Sequence, residues 1–283
     1  MKRIIPLLLL ALAITGCNQI DEPVKPAVLS CGDCSASEAD PFITQQNVLI
    51  EEFTGITCNN CPNAVGEIKD LQSQYPERVF SIGIHASNFA VPNPPKYPDD
   101  FRTESGTEIY NYANPVGVPS GMVNRRDYGQ SDFAKLYFSW SGEVDDILQR
   151  GQASIGILPE VVTSGDTVCL TARFKALEDL TGKDLRWCAF LTENGIIAPQ
   201  KMPDNSQNKN YEHIHVLRAT LNGTFGSPLA AGNFIGNKNE VACETRSIVL
   251  KEEWVAENCE IIVYVYEDGD NSQEVQQVVA KHL

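Results

Sequence analysis

The sequence predicts an α/β domain followed by an all-β sandwich domain. Residues 47–150 contain a buried strand, a helix and a second buried strand in succession, which is typical of a parallel βαβ unit. Over residues 151–283 the pattern changes to short β-rich segments separated by turns, with no long helix between them. Such a pattern is typical of a sandwich of immunoglobulin or fibronectin type. The chain of 283 residues is long enough for two domains with separate cores.

The first residues predict a cleavable export signal. Lys2 and Arg3 precede an almost unbroken apolar run over residues 4–13, which is shorter than a membrane-spanning helix and has the length of a signal-peptide core. The run leads into an aliphatic residue, two small residues and Cys17, a pattern that resembles the lipobox of bacterial lipoproteins. We therefore predict a signal peptide over residues 1–16 and lipid on Cys17, anchoring an exported protein to the outer membrane on its periplasmic or cell-surface face.

The segment after Cys17 is polar and rich in turn-forming residues, including Pro23, Pro26 and Pro41. Such a composition is typical of a linker, so we predict a flexible tether over residues 17–46. The formal net charge of −15 repels nucleic acid and anionic lipid headgroups. We therefore expect no nucleic-acid partner, and membrane contact through the lipid alone.

The strongest chemical signal is the pair Cys58-Asn-Asn-Cys61 at the start of the predicted helix. A thiol at a helix N-terminus has a lowered pKa, because unpaired N–H groups and the positive end of the helix dipole stabilise the thiolate. A second thiol three residues later can attack a mixed disulfide and release the bound partner. We therefore predict that Cys58 is an exposed nucleophile and that Cys61 is a buried resolving thiol.

The strand that ends at Phe53, followed by Cys58 and Cys61, resembles the thioredoxin-like superfamily. The resemblance implies that Glu52, six residues before the first cysteine, is a buried proton acceptor for the second. A buried carboxyl group has a raised pKa and can exchange protons near neutral pH. The resemblance also implies that Pro119 belongs to a cis-proline loop that holds an extended substrate chain beside the two cysteines.

This resemblance covers about residues 47–150 and departs from the family at two places. Thr57 stands where a tryptophan is usual, and two asparagines separate the cysteines instead of Gly-Pro. The redox potential and the substrate choice of the family are therefore not carried over. A structural disulfide between Cys58 and Cys61, on a redox-type fold without turnover, remains an alternative because a fold does not determine a function.

The whole chain resembles a narrower family, the outer-membrane-protein-twenty-eight-related lipoproteins. The segments that carry this resemblance are residues 51–55, the run from Cys58 to Pro62, and residues 211–218. The resemblance implies a thioredoxin-like domain over residues 47–150 and a β-rich domain after it.

Eight cysteines follow Cys17, an even number that favours disulfides in an exported protein. Six of them lie outside the Cys58–Cys61 motif and are candidates for structural disulfides: Cys31, Cys34, Cys169, Cys188, Cys243 and Cys259. We expect Cys31 and Cys34 to bond each other in the tether. Two alternatives are that they act as a second redox pair, or that they form a four-thiolate zinc site together with Cys58 and Cys61. The last four are predicted to form two disulfides within the β domain, in any of three connectivities.

Three histidines are further candidates. His213 and His215 lie on one face of a predicted strand, a spacing that suits a metal ion or simple packing. No third ligand is evident in the sequence, so packing is favoured, and we expect neither a resident metal nor a cofactor. His85 ends the second strand of the βαβ unit, where it either favours the Cys58 thiolate or only terminates the strand.

These observations predict a membrane-anchored thiol–disulfide oxidoreductase that acts on protein thiols and disulfides of the cell envelope or surface. In this interpretation Cys58 exchanges disulfides, Cys61 resolves them, Glu52 moves the proton and Pro119 positions the substrate chain. The alternative is a non-enzymatic surface protein for adhesion or assembly, which the acidic composition and the second domain would serve.

Overall fold

The computed structural model describes residue 31 and residues 34–129, 132–269 and 273–283. The predicted signal peptide, the lipid site at Cys17 and the first part of the predicted tether lie outside the described residues. Within the described residues the chain forms a mixed α/β fold that consists mostly of β-strands, with three α-helices. No helix of this part of the chain is long and apolar enough to cross a membrane.

All three α-helices of the described residues lie before residue 151. The α-helices are α1 (Cys61–Gln74), α2 (Glu104–Ala113) and α3 (Trp140–Leu148). The strands are β1 (Ile43–Gln45), β2 (Val48–Thr54), β3 (Val79–His85), β4 (Ser120–Val123), β5 (Lys135–Leu136), β6 (Gln152–Ser164), β7 (Thr167–Ala176), β8 (Leu185–Glu193), β9 (Ile196–Lys201), β10 (Gln207–His213), β11 (Val216–Thr220), β12 (Ser227–Pro228), β13 (Val241–Val249), β14 (Cys259–Glu267) and β15 (Val275–His282). Short 3₁₀ helices lie at Asn88–Ala90, Tyr137–Ser139, Leu229–Gly232 and Ala256–Asn258.

The predicted parallel βαβ unit is confirmed in β2, α1 and β3. Strands β2 and β3 pair in parallel along their whole length, and β4 pairs with β2 in the antiparallel sense. Every residue of β2 is buried because both faces of the strand are covered. Val48 and Ile50 pack under α1 and α3, whereas Leu49 and Phe53 point to the opposite face. Alternate residues of this strand therefore belong to different cores.

One large sheet joins the two halves of the chain. Its strands lie in the order β15-β14-β8-β11-β3-β2-β4-β5, with β12 added beside β8. The junction is short: β11 pairs with β3 in parallel at Val216 and Gly83, and the Gly83 amide donates to the His215 carbonyl oxygen over 2.7 Å. A Cβ atom on Gly83 would lie only 3.2 Å from the Ile214 carbonyl oxygen, so the absence of a side chain permits this approach.

Each half of the chain has a core of its own, and a third core is shared between the halves. The core on one face of the large sheet combines Leu49 and Ile82 from the first half with Phe190 and Tyr264 from the second. The physical reason is the edge of β3, which would expose unpaired backbone groups unless another strand covered it. Hydrophobic periodicity indicates which face of a strand is buried, but it does not indicate which strand lies beside it.

A second sheet, in the order β1-β6-β7-β13, packs face to face against β8, β14 and β15. The core between the two sheets contains Ile157 and Phe174 on one side and Trp187 and Val263 on the other. Phe174 and Trp187 meet edge to face with ring centroids 5.6 Å apart. The described residues of 151–283 form strands and 3₁₀ helices without an α-helix, which agrees with the all-β prediction for this half.

The cysteine pairing predicted for the tether is wrong. Cys31 bonds Cys169 on β7, and Cys34 bonds Cys243 on β13, so each disulfide joins the N-terminal segment to the second sheet. Strands β7 and β13 are neighbours with Cys243 opposite Arg173 in their register. Two cysteines three residues apart in the N-terminal segment can therefore reach one strand each.

The two disulfides predicted within the β domain are also wrong, because Cys188 and Cys259 are free. Both thiols are fully buried, and burial raises the pKa of each to about 12. Cys188 belongs to the core on one face of the large sheet and Cys259 to the core on the other face. The sheet itself keeps them apart, and each behaves as a small apolar side chain.

The described part of the predicted flexible tether is held against the second sheet. Besides the two disulfides, Arg173 Nε donates to the Ser35 carbonyl oxygen over 2.6 Å, and Lys175 Nζ donates to the Glu38 carbonyl oxygen over 2.9 Å. Strand β1 then pairs with β6. The polar composition of this segment does not indicate such attachment, because the attachment comes from cross-links and backbone hydrogen bonds and not from a core of its own.

Candidate functional site at the disulfide of Cys58 and Cys61

The disulfide between Cys58 and Cys61 lies where the parallel strands β2 and β3 end. A short loop leads from β2 to Cys58, and α1 begins at Cys61 with Pro62 in its first turn. The proline suits this position because the first turn of a helix has no internal partner for its N–H group. The two cysteines are bonded with their Cα atoms 5.5 Å apart. Ligand and active sites of open α/β sheets commonly lie at this edge.

Both cysteines are buried, so the prediction of an exposed Cys58 is wrong. Cys58 is 3 % exposed and Cys61 is 2 % exposed. The hairpin of β9 and β10, from the second half of the chain, packs on the loop that carries Cys58. Gln200 Nε2 donates to the Cys58 carbonyl oxygen over 2.9 Å, and the Lys201 amide donates to the Ile56 carbonyl oxygen over 3.0 Å.

The other side of this loop is covered by the segment after β3. The amide and the hydroxyl of Thr57 both donate to the Phe89 carbonyl oxygen, at 3.0 and 2.8 Å. A Cβ atom on Gly55 would lie 2.4 Å from the Phe89 carbonyl carbon, so this close backbone contact requires glycine. The cysteine loop thus lies between the β9–β10 hairpin and the segment after β3. The sequence pattern did not predict either contact.

Glu52 is buried near Cys61. Its side chain lines a small cavity together with Cys61, and it is 3 % exposed. Burial raises the pKa of the Glu52 carboxyl to about 8, and a hydrogen bond with Thr54 opposes part of that rise. The carboxyl group therefore holds its proton at neutral pH and can release it only slightly above neutrality.

His85 and His213 line the same cavity from opposite elements, with ring centroids 5.7 Å apart. His85 ends β3, and His213 ends β10 in the covering hairpin. Burial lowers the pKa of His85 well below its usual range and lowers that of His213 to about 4. Both rings are therefore neutral at neutral pH. His85 does more than terminate its strand, since it is part of the surroundings of Cys61.

The structure separates His213 from His215. His215 lies on the far side, where its Nδ1 is 3.3 Å from Glu260 Oε1 and its Nε2 is 3.2 Å from Gln72 Nε2. The packing interpretation of the two histidines agrees with this arrangement. Within the described ranges, no group of three or more His, Cys, Asp or Glu side chains is arranged to hold a metal ion.

Pro119 lies at the same edge of the sheet as the disulfide. It immediately precedes β4, whose first residue Ser120 is the register partner of Phe53 near the end of β2. The Val118–Pro119 peptide bond is cis, and Pro119 is buried. Val116, in the loop that leads to it, is 97 % exposed. The loop therefore presents an apolar side chain to solvent near this edge.

A buried ion pair on the other face of β2 was missed by the sequence reasoning. Arg125 Nε and Nη2 donate to the two carboxylate oxygens of Glu51 over 2.7 and 2.6 Å, and both side chains are fully buried. Arg125 Nη2 also donates to the Tyr264 hydroxyl over 2.7 Å. The available signal was the pair Glu51-Glu52 in a strand that is otherwise apolar: neighbouring strand residues face opposite ways, so two buried acids need two different partners.

The fold and this site define a class: β-rich α/β proteins with a buried disulfide at the start of a helix and a buried carboxyl group in the cavity beside it. The chain belongs to the Omp28 family, because the family model described as outer membrane protein Omp28 matches residues 107–283. The matched region includes Pro119 and His213 and begins after both cysteines of the site. Membership supports an association with the outer membrane.

The first two of three solved structures support the fold. HBP35 of Porphyromonas gingivalis is similar with a TM-score of 0.66 and 18% identity, over 86% of this chain and 76% of that one. A protein from Agrobacterium tumefaciens is similar with a TM-score of 0.50 and 14% identity, over 83% and 93%. A domain of the outer membrane lipoprotein Omp28 from Porphyromonas gingivalis matches 46% of this chain and 88% of its own length, with 21% identity and a TM-score of 0.32. No curated protein matches the chain.

Proposed function

We propose that this Omp28-family protein is an outer-membrane lipoprotein whose Cys58–Cys61 pair exchanges disulfides with proteins of the envelope or cell surface. The observation that carries the proposal is the position of Glu52: a protonated, buried carboxyl group lines the same cavity as Cys61. A structural disulfide has no need of an adjacent proton donor. The lipid on Cys17 belongs to the proposal and would keep the protein at the membrane.

The strand order supports a thioredoxin-like fold for the first half. Strands β3, β2, β4 and β5 are consecutive in the sheet; β3 and β2 pair in parallel, and β2 with β4 and β4 with β5 pair in the antiparallel sense. Helix α1 starts at the cysteine pair and α3 follows β5. The face-to-face packing of the second sheet supports a sandwich of immunoglobulin or fibronectin type for residues 151–283. In this proposal the two domains share one large sheet.

The exchange begins from the disulfide state. A thiolate of the partner attacks Cys58 Sγ, the Cys58–Cys61 bond breaks, and Cys61 Sγ takes the bonding electron pair together with the proton of Glu52. The second thiol of the partner, as its thiolate, then attacks the partner sulfur of the mixed disulfide. This step closes the disulfide of the partner and releases Cys58 as a thiolate, which the helix N-terminus stabilises. The partner is oxidised and the cysteine pair is reduced.

A redox titration tests the proposal. The chain without residues 1–17 is equilibrated in glutathione buffers, the free thiols are alkylated, and the state of Cys58 and Cys61 is measured by peptide mass. A midpoint between about −120 and −270 mV, the range of known oxidoreductases, would support disulfide exchange. A pair that stays oxidised below about −300 mV would behave as a structural disulfide and would overturn the proposal.

A second candidate function is non-enzymatic binding at the outer membrane, for adhesion or assembly. The observation that favours it is the burial of both cysteines beneath the β9–β10 hairpin, because the hairpin must move before a partner reaches Cys58. Protease treatment of intact cells tests this candidate: a chain that is digested from outside has the exposure that adhesion requires, whereas a protected chain does not.

A further inference from the structure

Three buried polar groups face the cavity beside Cys61, and each has one atom without a hydrogen-bond partner in the protein. These atoms are Glu52 Oε1, His85 Nδ1 and His213 Nε2. The three residues are only 3, 4 and 5 % exposed, respectively. An unpaired polar atom at such depth costs about 1–3 kcal/mol, so three of them on residues that line one small cavity need a common explanation.

The hydrogen-bonding capacity of the three groups can be read from their surroundings. The backbone oxygen of Ala198 binds the ring of His213, and that of Gly83 binds the ring of His85. Each neutral ring thus donates to the backbone with one nitrogen and offers the other to the cavity as an acceptor. The protonated Glu52 carboxyl offers its O–H group as a donor. The cavity therefore presents one donor and two acceptors.

We propose that Glu52, His85 and His213 together bind one water molecule, and that His213 is a positioning residue which holds this water against the Glu52 carboxyl. The water accepts the Glu52 proton in a hydrogen bond and donates its own two hydrogens to the two ring nitrogens. All three unpaired atoms or groups are then satisfied by three hydrogen bonds, the usual number for a buried water. The cavity volume of about 10 Å³ gives space for about one water.

The bound water gives Glu52 a route to solvent, and this inference rests on the proposed disulfide exchange. After Glu52 has passed its proton to Cys61, the water passes one of its protons to the carboxylate and takes another from solvent, so that the water is restored. The cavity is bordered on its outer side by half-buried side chains, which are Pro62, Val65, Tyr211 and Ile214. His213 thereby connects the covering hairpin, from the Omp28-matched region, to the proton chemistry of the cysteine pair.

Other charged and titratable groups also act on the cavity, and each belongs to a different element. They are Tyr211 on β10, Arg218 on β11 and Asp100 in the loop before α2. Arg218 lowers the pKa of both rings, and Asp100 opposes this effect at His85. All three are present in the variants described below, so a change in Glu52 protonation between variants reports on the substituted side chain.

The test measures the protonation of Glu52 in the mature lipoprotein, purified in detergent with its disulfide intact. The infrared C=O band of the protonated carboxyl is followed from pH 5.5 to 10, and Glu52→Gln identifies the band. His213→Phe keeps an aromatic ring beside Phe101 and Tyr211 but cannot bind the water. His213→Gln keeps an acceptor. His215→Asn is the matched control, because it removes a nearby histidine from outside the cavity, at a positive φ of 53° that asparagine tolerates.

We expect His213→Phe to raise the Glu52 midpoint by at least one pH unit, which is a tenfold increase in proton affinity, because the carboxylate loses its only water. We expect His213→Gln and His215→Asn to leave the midpoint within threefold of the unmodified protein. An unchanged or lowered midpoint in His213→Phe, or an equal shift in all three variants, would overturn the inference.

A second measurement keeps the inference testable if His213→Phe does not fold. Magnetisation transfer in NMR from a long-lived water to the ring protons of His85 and His213 is expected in the unmodified protein, and its absence would overturn the water site. Both measurements use the oxidised protein without a partner. If the cysteine pair stays oxidised below about −300 mV in the redox titration while the water site is intact, the exchange function is overturned and the water site is not.

Discussion

Gln200 donates a hydrogen bond from its side-chain amide to the carbonyl oxygen of Cys58, 142 residues earlier in the chain. The same Nε2 atom lies 3.3 Å from the Gly55 carbonyl oxygen and 3.1 Å from the Lys201 carbonyl oxygen. One buried amide group thus ties the β9–β10 hairpin to the cysteine loop at both of its ends. The hairpin is a separate two-stranded sheet, so these contacts and a small apolar cluster hold it over the site.

Gln200→Ala is expected to expose the disulfide. A net hydrogen bond contributes about 1 kcal/mol, and 1.4 kcal/mol corresponds to a factor of ten, so the rate of reduction by dithiothreitol should rise about fivefold. The measurement is alkylation of Cys58 over time after addition of the reductant. Gln207→Ala, in the same hairpin but away from the cysteine loop, is the control. A rate in Gln200→Ala equal to that of the unmodified protein would show that this contact does not limit access.

Glu52→Gln is expected to stabilise the protein in alkaline solution. Below about pH 4.5 the carboxyl is protonated in both states; between about pH 4.5 and 8 it ionises only in the unfolded chain, so the free energy of unfolding falls as the pH rises. Above about pH 8 the carboxyl is ionised in both states, and the accumulated loss in the free energy of unfolding stays constant at roughly 4–5 kcal/mol. Glutamine removes this dependence. Urea unfolding at pH 5 and pH 9 measures the effect, with the exposed Glu212→Gln as control; an equal pH dependence in both variants would contradict the buried carboxyl.

Arg125→Met should destabilise the fold strongly, because it leaves the buried Glu51 carboxylate without its partner. Removal of one member of a buried ion pair costs about 3–5 kcal/mol, whereas replacing both members by apolar residues is often neutral. We therefore expect the double variant Glu51→Leu with Arg125→Met to regain most of the loss in chemical denaturation. Arg126→Met, at a partly exposed ion pair with Asp146, should cost less than about 1 kcal/mol. A double variant no better than Arg125→Met would contradict this account.

Peptide mapping without reduction tests the disulfide framework. We expect cross-linked peptides that join Cys31 to Cys169 and Cys34 to Cys243, and alkylation of Cys188 and Cys259 only after denaturation. The reason for the slow alkylation is that both thiols are buried and have raised pKa values, so little thiolate is present or accessible. A peptide that joins Cys31 to Cys34 would contradict the structure.

The sequence was informative about the cysteine motif because its signals are local. The apolar run before the motif and the helical spacing after it predict β2, α1 and β3, and they place Cys61 at the first helical residue. The buried position of Glu52 follows from its place in that run. His85 follows from the end of β3, where the parallel strands bring its ring to the same edge as the disulfide.

The covering hairpin could not be predicted in the same way, because its contacts join residues far apart in the chain. His213 reaches the cavity only because Val216, three residues later, pairs with Gly83 on β3. The pairing of β11 with β3 depends on a close contact between two backbones, and hydrophobic periodicity does not indicate such a contact. The free cysteines illustrate the same limit: whether Cys188 and Cys259 share a face depends on the register between β8 and β14, and their own segments do not reveal it.

The attachment of the N-terminal segment to the second sheet restricts where the protein can work. Fully extended chain spans at most about 3.6 Å per residue. If lipid is carried on Cys17, as proposed, the 14 peptide units to Cys31 allow a reach of at most about 50 Å from the membrane. A tether free as far as residue 46 would have allowed about twice that distance. The cross-link to Cys169 therefore shortens the free part of the tether to about half, and it keeps the attached point of the second sheet within about 50 Å of the membrane surface.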